Sequence, residues 1–87
     1  MLEIYLSYNP SLENYCLNKS SDRWDISKRE NWGDLTSNEI EKKLKRSINF
    51  KRKSLVYLVD FPEDILKDVT VFLEKYPKIK YKVLSDF

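Results

Sequence analysis

Histidine does not occur in this chain of 87 residues, and cysteine and glycine occur once each, as Cys16 and Gly33. Without histidine the chain cannot build a Ser-His or Cys-His nucleophile pair, and most zinc sites lose their usual ligands. A single glycine excludes the glycine-rich phosphate loop, which needs several glycines at fixed spacing. These absences predict a protein that is not an enzyme and that holds no cofactor and no metal.

Long apolar runs are also missing, since no run approaches the roughly 18 residues that cross a bilayer. The start Met1-Leu2-Glu3 lacks the basic residues of a secretory signal, and one cysteine cannot form an internal disulfide. We therefore expect a cytoplasmic protein without membrane contact. Alanine is absent while lysine, isoleucine and asparagine are frequent, a bias typical of an AT-rich genome such as that of a low-GC bacterium or its phage.

Hydrophobic residues make up 41% of the chain and aromatic residues 14%, which is enough to build a core. The length gives room for one domain, so we expect a single compact domain over residues 1–87.

Three segments have strand patterns. Residues 2–8 alternate apolar and polar side chains, and the apolar run 54–61 predicts a central strand that is covered on both faces. Near the end of the chain, Ile79, Tyr81 and Val83 alternate with lysines. Such a lysine row is typical of an edge strand that must not pair with another chain.

Three segments have helix patterns. Pro10 follows a capping asparagine, and Leu12, Tyr15 and Cys16 at helical spacing predict a short helix that ends near residue 18. Thr36 and Glu39 form a capping box that opens a second helix, which should end near residue 49. A third helix should run from Pro62 to the residue before Pro77. The expected fold is α/β, with a small, mostly parallel three-stranded sheet, helical crossovers and a single layer of helices packed on it.

The order of these elements and the chain length resemble those of the barstar family of ribonuclease inhibitors, which have a three-stranded parallel sheet. The chain lacks that family's aromatic-glycine stretch, and its net charge is +2 where an inhibitor of a basic ribonuclease should be acidic. The resemblance therefore implies a different target. IYLSY at 4–8 and SLVYLV at 54–59 resemble strands of TIR-like domains, but the catalytic acid of that family has no counterpart here.

The polar segment 19–33 contains two tryptophans without a helix or strand period to bury them. Because tryptophan and arginine are enriched at binding hot spots, we predict a partner-binding site formed by Arg23, Trp24, Arg29 and Trp32. The alternative is that the indoles fold back as a lid over a small core.

A second candidate site is basic. The alternative function is nucleic-acid binding through Lys42, Lys45, Arg46, Lys51, Arg52, Lys53, Lys80 and Lys82. These cations equally suit a solvated face near a helix C-terminus, where the helix dipole favours them. Asp60 follows the central strand, but without neighbouring acids it is interpreted as the start of a turn, and Cys16 as a small core residue.

Together these features predict a non-enzymatic protein-binding module. It is expected to be an inhibitor, an immunity protein or antitoxin, or a phage anti-defence protein that blocks a partner enzyme such as a nuclease.

Overall fold

The computed structural model describes residues 2–19, 22 and 25–85. Within these residues the chain forms five strands and two α-helices, with a short 3-10 turn at Ile26–Lys28. The strands are β1 (Leu2–Asn9), β2 (Asn14–Asn18), β3 (Arg29–Gly33), β4 (Ser54–Val59) and β5 (Ile79–Leu84), and the helices are α1 (Ser37–Ser47) and α2 (Glu63–Leu73).

All five strands join one mixed sheet in the order β3-β2-β1-β4-β5. β1, β4 and β5 are parallel to one another, whereas β2 runs antiparallel to both β1 and β3. The α/β class is confirmed, but the prediction of a three-stranded, mostly parallel sheet is wrong. The two additional strands come from the region that the sequence patterns assigned to a helix and a loop.

The predicted helix over residues 10–18 is instead a hairpin turn followed by β2. Asn9 turns the chain, because its Oδ1 atom accepts hydrogen bonds from the backbone N–H groups of Ser11 and Leu12 at 3.0 and 3.3 Å. Glu13 then adopts a positive φ of 50°. Leu12, which the helix would bury, is 70% exposed. Tyr15 is 1% exposed and points to the core, so the burial has the period of a strand.

The second additional strand, β3, lies at the edge of the sheet and within the segment predicted as a loop. A bulge interrupts its pairing with β2, where Tyr15 faces Gly33 and Cys16 faces Asn31. Trp32 is the extra residue between them. Gly33 has a φ of +75°, a conformation that glycine adopts without a steric penalty.

The two α-helices follow their sequence signals. In α1 the capping box is present, with Glu39 N–H donating to Thr36 Oγ1 at 3.3 Å and Thr36 N–H donating to Glu39 Oε1 at 3.0 Å. α2 begins directly after Pro62 but ends at Leu73, before the expected boundary at Pro77.

Both helices pack against the same face of the sheet. A single hydrophobic cluster joins Ile4 of β1 and Val56 of β4 to Ile40 of α1 and Val69 of α2. The opposite face of the sheet therefore carries neither helix, contrary to the expectation that β4 is covered on both faces. No helix in the part of the chain that the structure describes is long and apolar enough to span a membrane.

Candidate binding surfaces

The structure describes two of the four residues that the sequence predicts as a partner-binding site. Arg23 and Trp24 lie outside the described residues. Arg29 is exposed at the start of the edge strand β3. Trp32 is only 6% exposed and belongs to the core, with Lys43 Nζ lying 5.7 Å from the centre of its ring. Trp32 thus has the core position that the sequence left open as an alternative.

The sheet face without helices, here called the open face, has a tyrosine pair at its centre. Tyr5 of β1 and Tyr57 of β4 are opposite each other in the parallel register, and their rings stack with centroids 4.4 Å apart and planes inclined by 8°. Tyr57 Oη donates a hydrogen bond to Glu3 Oε1 at 3.4 Å. Partial burial and the negative charge of Glu3 raise the pKa of Tyr57, so this hydroxyl is neutral over the physiological range.

The strand register extends this pair into a row across the whole sheet. From edge to edge, the row consists of Arg29, Asn18, Tyr5, Tyr57 and Lys82. Directly opposed residues in a sheet share one face, so both ends of the row carry a cation and its centre carries two aromatic rings. The exposed Arg29 and Lys82 are at the two edges, whereas the tyrosines are half-buried.

Asn18 in this row forms hydrogen bonds to the segment that follows β2. It is 4% exposed, and its Nδ2 group donates to the backbone carbonyls of Asp25 at 3.0 Å and Asp22 at 3.5 Å. These bonds hold the backbone of residues 22 and 25 against β2, next to Tyr5 in the row. The segment that contains the predicted hot-spot residues Arg23 and Trp24 therefore has both of its described neighbours at the open face.

A second surface, here called the basic end, lies where the parallel strands begin. The direction of the chain explains why cations gather there. α1 runs from the end of the sheet where the parallel strands finish to the end where they begin, and β4 and β5 begin at that same end. The basic end comprises Lys45, Arg46, Lys51, Arg52, Lys53, Lys78 and Lys80. Of the predicted nucleic-acid-binding residues, only Lys42 and Lys82 lie outside this group, one turn earlier on α1 and two residues further along β5.

The turn between α1 and β4 holds the centre of the basic end. Asn49 Oδ1 accepts from Lys51 N–H at 2.9 Å, and Asn49 O accepts from Arg52 N–H at 3.1 Å. Phe50 stacks on Tyr76 at a centroid distance of 4.3 Å and meets Phe72 edge-on at 5.7 Å. The aromatic anchor and the asparagine bonds fix the backbone of this turn, while the side chains of residues 51–53 are exposed.

The opposite end of the sheet, where the parallel strands finish, is acidic. It carries Glu13, Asp34, Asp60, Glu63 and Asp64. Burial, together with Tyr8, Asp34 and Asp64, raises the pKa of Tyr15 to about 12. Asp60 has a positive φ of 57° and leads from β4 into α2. Within residues 2–19, 22 and 25–85, no three histidine, cysteine, aspartate or glutamate side chains form a group that could hold a metal ion.

Cys16 lies on the open face and not at the helical core position expected from the sequence. It pairs with Ser7 of β1 and Asn31 of β3, and its thiol is half-buried and free.

Sequence reasoning missed the tyrosine pair. In both IYLSY and SLVYLV a tyrosine occupies the position out of phase with the buried residues, which is the signal that could have identified it. Tyr5 was visible as part of the outward-facing set of β1. Tyr57 could not be singled out in the same way, because the run of residues around it is apolar on both faces of the strand.

Comparisons of this chain with protein-family models, with curated proteins and with solved structures found no match. The functional assignment therefore rests on the chemistry of the surfaces described above.

Proposed function

We propose that this chain is a non-enzymatic binding protein that engages a protein partner through the open face of its sheet. The observation that carries the proposal is the row from Arg29 to Lys82, in which two stacked tyrosines lie between cations on a face without helices. The fold stabilises the tyrosine pair but leaves it half-buried.

The residue types of the row suit a protein interface. Tyrosine supplies a large contact area at low conformational cost, and its hydroxyl can still donate or accept a hydrogen bond. Arginine and tyrosine are both enriched at hot spots, which concentrate near the centre of an interface. Arg29 and Lys82 favour a partner with carboxylates around an apolar centre.

Blocking an enzyme is the role within this class that we favour. A small domain with a preformed flat face can cover an active-site entrance without contributing any chemistry of its own. Inhibitor, immunity, antitoxin and phage anti-defence roles are all compatible with this kind of surface, and a nuclease is the target class that we propose. Arg23 and Trp24 lie outside the described residues, so their part in binding stays a prediction from the sequence.

The test begins with capture of a protein from cell extract by the unmodified chain, followed by affinity measurements with the purified partner. Tyr5→Ser combined with Tyr57→Ser removes the aromatic centre and should weaken binding by at least about 30-fold, which corresponds to about 2 kcal/mol. The control is Val71→Ser, since Val71 is an exposed apolar residue on α2, on the other side of the sheet.

A charge-reversal pair completes the test. Lys82→Glu on the open face should weaken binding, whereas Lys67→Glu on α2 makes the same charge change away from it. Urea unfolding of every variant separates lost contacts from lost folding. A partner that binds the tyrosine variant as tightly as the Val71→Ser variant would contradict the proposal.

A further inference from the structure

The basic end concentrates more positive charge than the whole chain carries. Seven cations lie there, whereas the net charge of the chain is +2. Two acids on neighbouring elements lie at this end, Glu3 at the start of β1 and Glu74 after α2, and both accept hydrogen bonds from tyrosine hydroxyls, Glu3 from Tyr57 at 3.4 Å and Glu74 from Tyr81 at 2.6 Å. The surplus of positive charge is thus local and is produced by the fold.

Backbone contacts bring the basic segments together. The N–H group of Ser54 donates to Lys78 O at 3.2 Å, and that of Leu2 donates to Lys53 O at 3.4 Å. The turn before β4 and the start of β5 are therefore adjacent, although 24 residues lie between Lys53 and Lys78 in the chain. Lys45 joins them from α1, with its Nζ atom 5.6 Å from the ring centre of Phe72, the same ring that Phe50 meets edge-on.

Hydrogen bonds and ring contacts hold the backbone of this end where its charge is densest. Residues 51–53 are three consecutive cations on a turn whose backbone is held by Asn49 and whose neighbour Phe50 is packed between Phe72 and Tyr76. A backbone held in this way presents the three cations at fixed spacing, so little backbone entropy is lost when they bind a row of regularly spaced anionic groups.

We infer that the basic end is a binding surface for the phosphate backbone of a nucleic acid. Phosphates recur at regular intervals along a strand, and lysine and arginine bind them without reading the base sequence. Apart from Lys80, which lies on the same face of β5 as Lys82, the basic end is distinct from the open face, so this inference does not depend on the proposed function.

Helix-dipole stabilisation is the competing explanation for these cations. Lys45 and Arg46 lie in the last turn of α1, where the partial negative charge favours a cation. Residues 51–53 lie beyond that turn, and the dipole effect falls off within it. Arg52 therefore distinguishes the two explanations, because its backbone holds the turn while its side chain is exposed.

The experiment is fluorescence anisotropy with labelled oligonucleotides of about 20 nucleotides, single-stranded and duplex, at several salt concentrations. About four phosphate contacts should lower the affinity roughly a hundredfold between about 50 mM and about 200 mM salt. Arg52→Gln should weaken binding about tenfold at the lower salt concentration and reduce the slope of log affinity against log salt by about one. The form that binds more tightly, single-stranded or duplex, is the ligand form, and either result supports the inference.

The matched control is Lys67→Gln, which removes the same charge from an exposed position on α2. It should leave both the affinity and the salt slope close to those of the unmodified protein, and the unfolding curves of both variants should coincide with the unmodified curve. The inference is overturned if the unmodified protein binds no oligonucleotide at low salt, or if Arg52→Gln and Lys67→Gln have equal effects. Binding of polyglutamate in place of any oligonucleotide would assign the surface to acidic polypeptides and also overturn it.

Discussion

At the scale of single residues, Trp32 shows how a fold buries a tryptophan whose position the sequence leaves open. Trp24 and Trp32 share one polar stretch, and neither has a periodic neighbour that predicts its burial. The bulge at Gly33 gives β3 one extra residue, and Trp32 joins the core beside Tyr15 and Leu17. The core position depends on pairing with β2, which a local sequence pattern does not contain.

Trp32→Ala should therefore behave as a core truncation. Removal of a buried indole typically costs 3–5 kcal/mol, and we expect about 3 kcal/mol here because β3 is an edge strand with room to relax. Urea unfolding measures this loss, with Trp32→Phe as the milder variant. An Ala variant with unchanged stability would show that the indole is not packed.

At the scale of secondary-structure elements, the capping box of α1 links two residues in a way that can be tested by mutation and by pH. Thr36→Ala removes one of the two reciprocal bonds and should cost about 1 kcal/mol of unfolding free energy. Thr36→Ser keeps a hydroxyl acceptor and should retain most of the stability. Equal urea midpoints for the Ala and Ser variants would contradict this role.

The same cap should weaken in acid. The hydrogen bonds that Glu39 accepts from Thr36 lower the pKa of its carboxyl group. A lowered pKa in the folded state means that the stabilisation is present above the unfolded value and is lost as the pH falls through the folded value. The group that titrates is the Glu39 carboxylate, so the difference in stability between a Glu39→Ala variant and the unmodified chain should shrink in acid.

These elements also show how far the sequence could predict the fold. The capping box, the start of α2 and the strand patterns of β1, β4 and β5 are local signals, and each led to the observed element. β2 was missed because Leu12, Tyr15 and Cys16 fit a helix spacing, while the hairpin depends on Asn9 and on a left-handed Glu13. β3 was missed because a short edge strand with one buried side chain has no periodicity to detect.

The two candidate surfaces also differ in how far the sequence could predict them, because one is mostly local in the sequence and the other depends on strand pairing. Consecutive cations are visible in the sequence, so most of the basic end was found, and only the contribution of Lys78 required the strand pairing. The tyrosine pair depends on β1 lying beside β4, two strands that are 44 residues apart from the end of one to the beginning of the other. A contact of that sequence separation cannot be obtained from periodicity.

At the scale of the whole molecule, the fold separates charge along the direction of its parallel strands. The acidic end surrounds Tyr15, and burial together with Tyr8, Asp34 and Asp64 raises the pKa of that phenol to about 12. An unfolded tyrosine titrates near pH 10. The folded state therefore keeps this proton to a higher pH than the unfolded chain does. The resulting contribution to stability is complete below about pH 10 and is lost as the pH rises through about 12.

Tyr15→Phe should make the alkaline decline in stability shallower, because it removes one of the phenols whose pKa is higher in the folded chain than in the unfolded chain. Unfolding in urea at a series of values between about pH 9 and about pH 12 gives the slope for the variant and for the unmodified chain. Tyr76→Phe, at the other end of the sheet, is the control for the loss of a phenol. Parallel slopes for Tyr15→Phe and the unmodified chain would show that Tyr15 titrates alike in both states.

Because one end of the sheet is basic and the other is acidic, the molecule has an electric dipole along its parallel strands. A net charge of +2 attracts the chain only weakly to a polyanion. The field of the polyanion also exerts a torque on the dipole, and this torque turns the basic end toward the polyanion. At physiological ionic strength this torque acts only within about 8 Å, the distance over which salt screens charge. The molecule therefore diffuses without orientation until the last nanometre and turns there, so a larger share of its encounters ends with Lys51, Arg52 and Lys53 in contact.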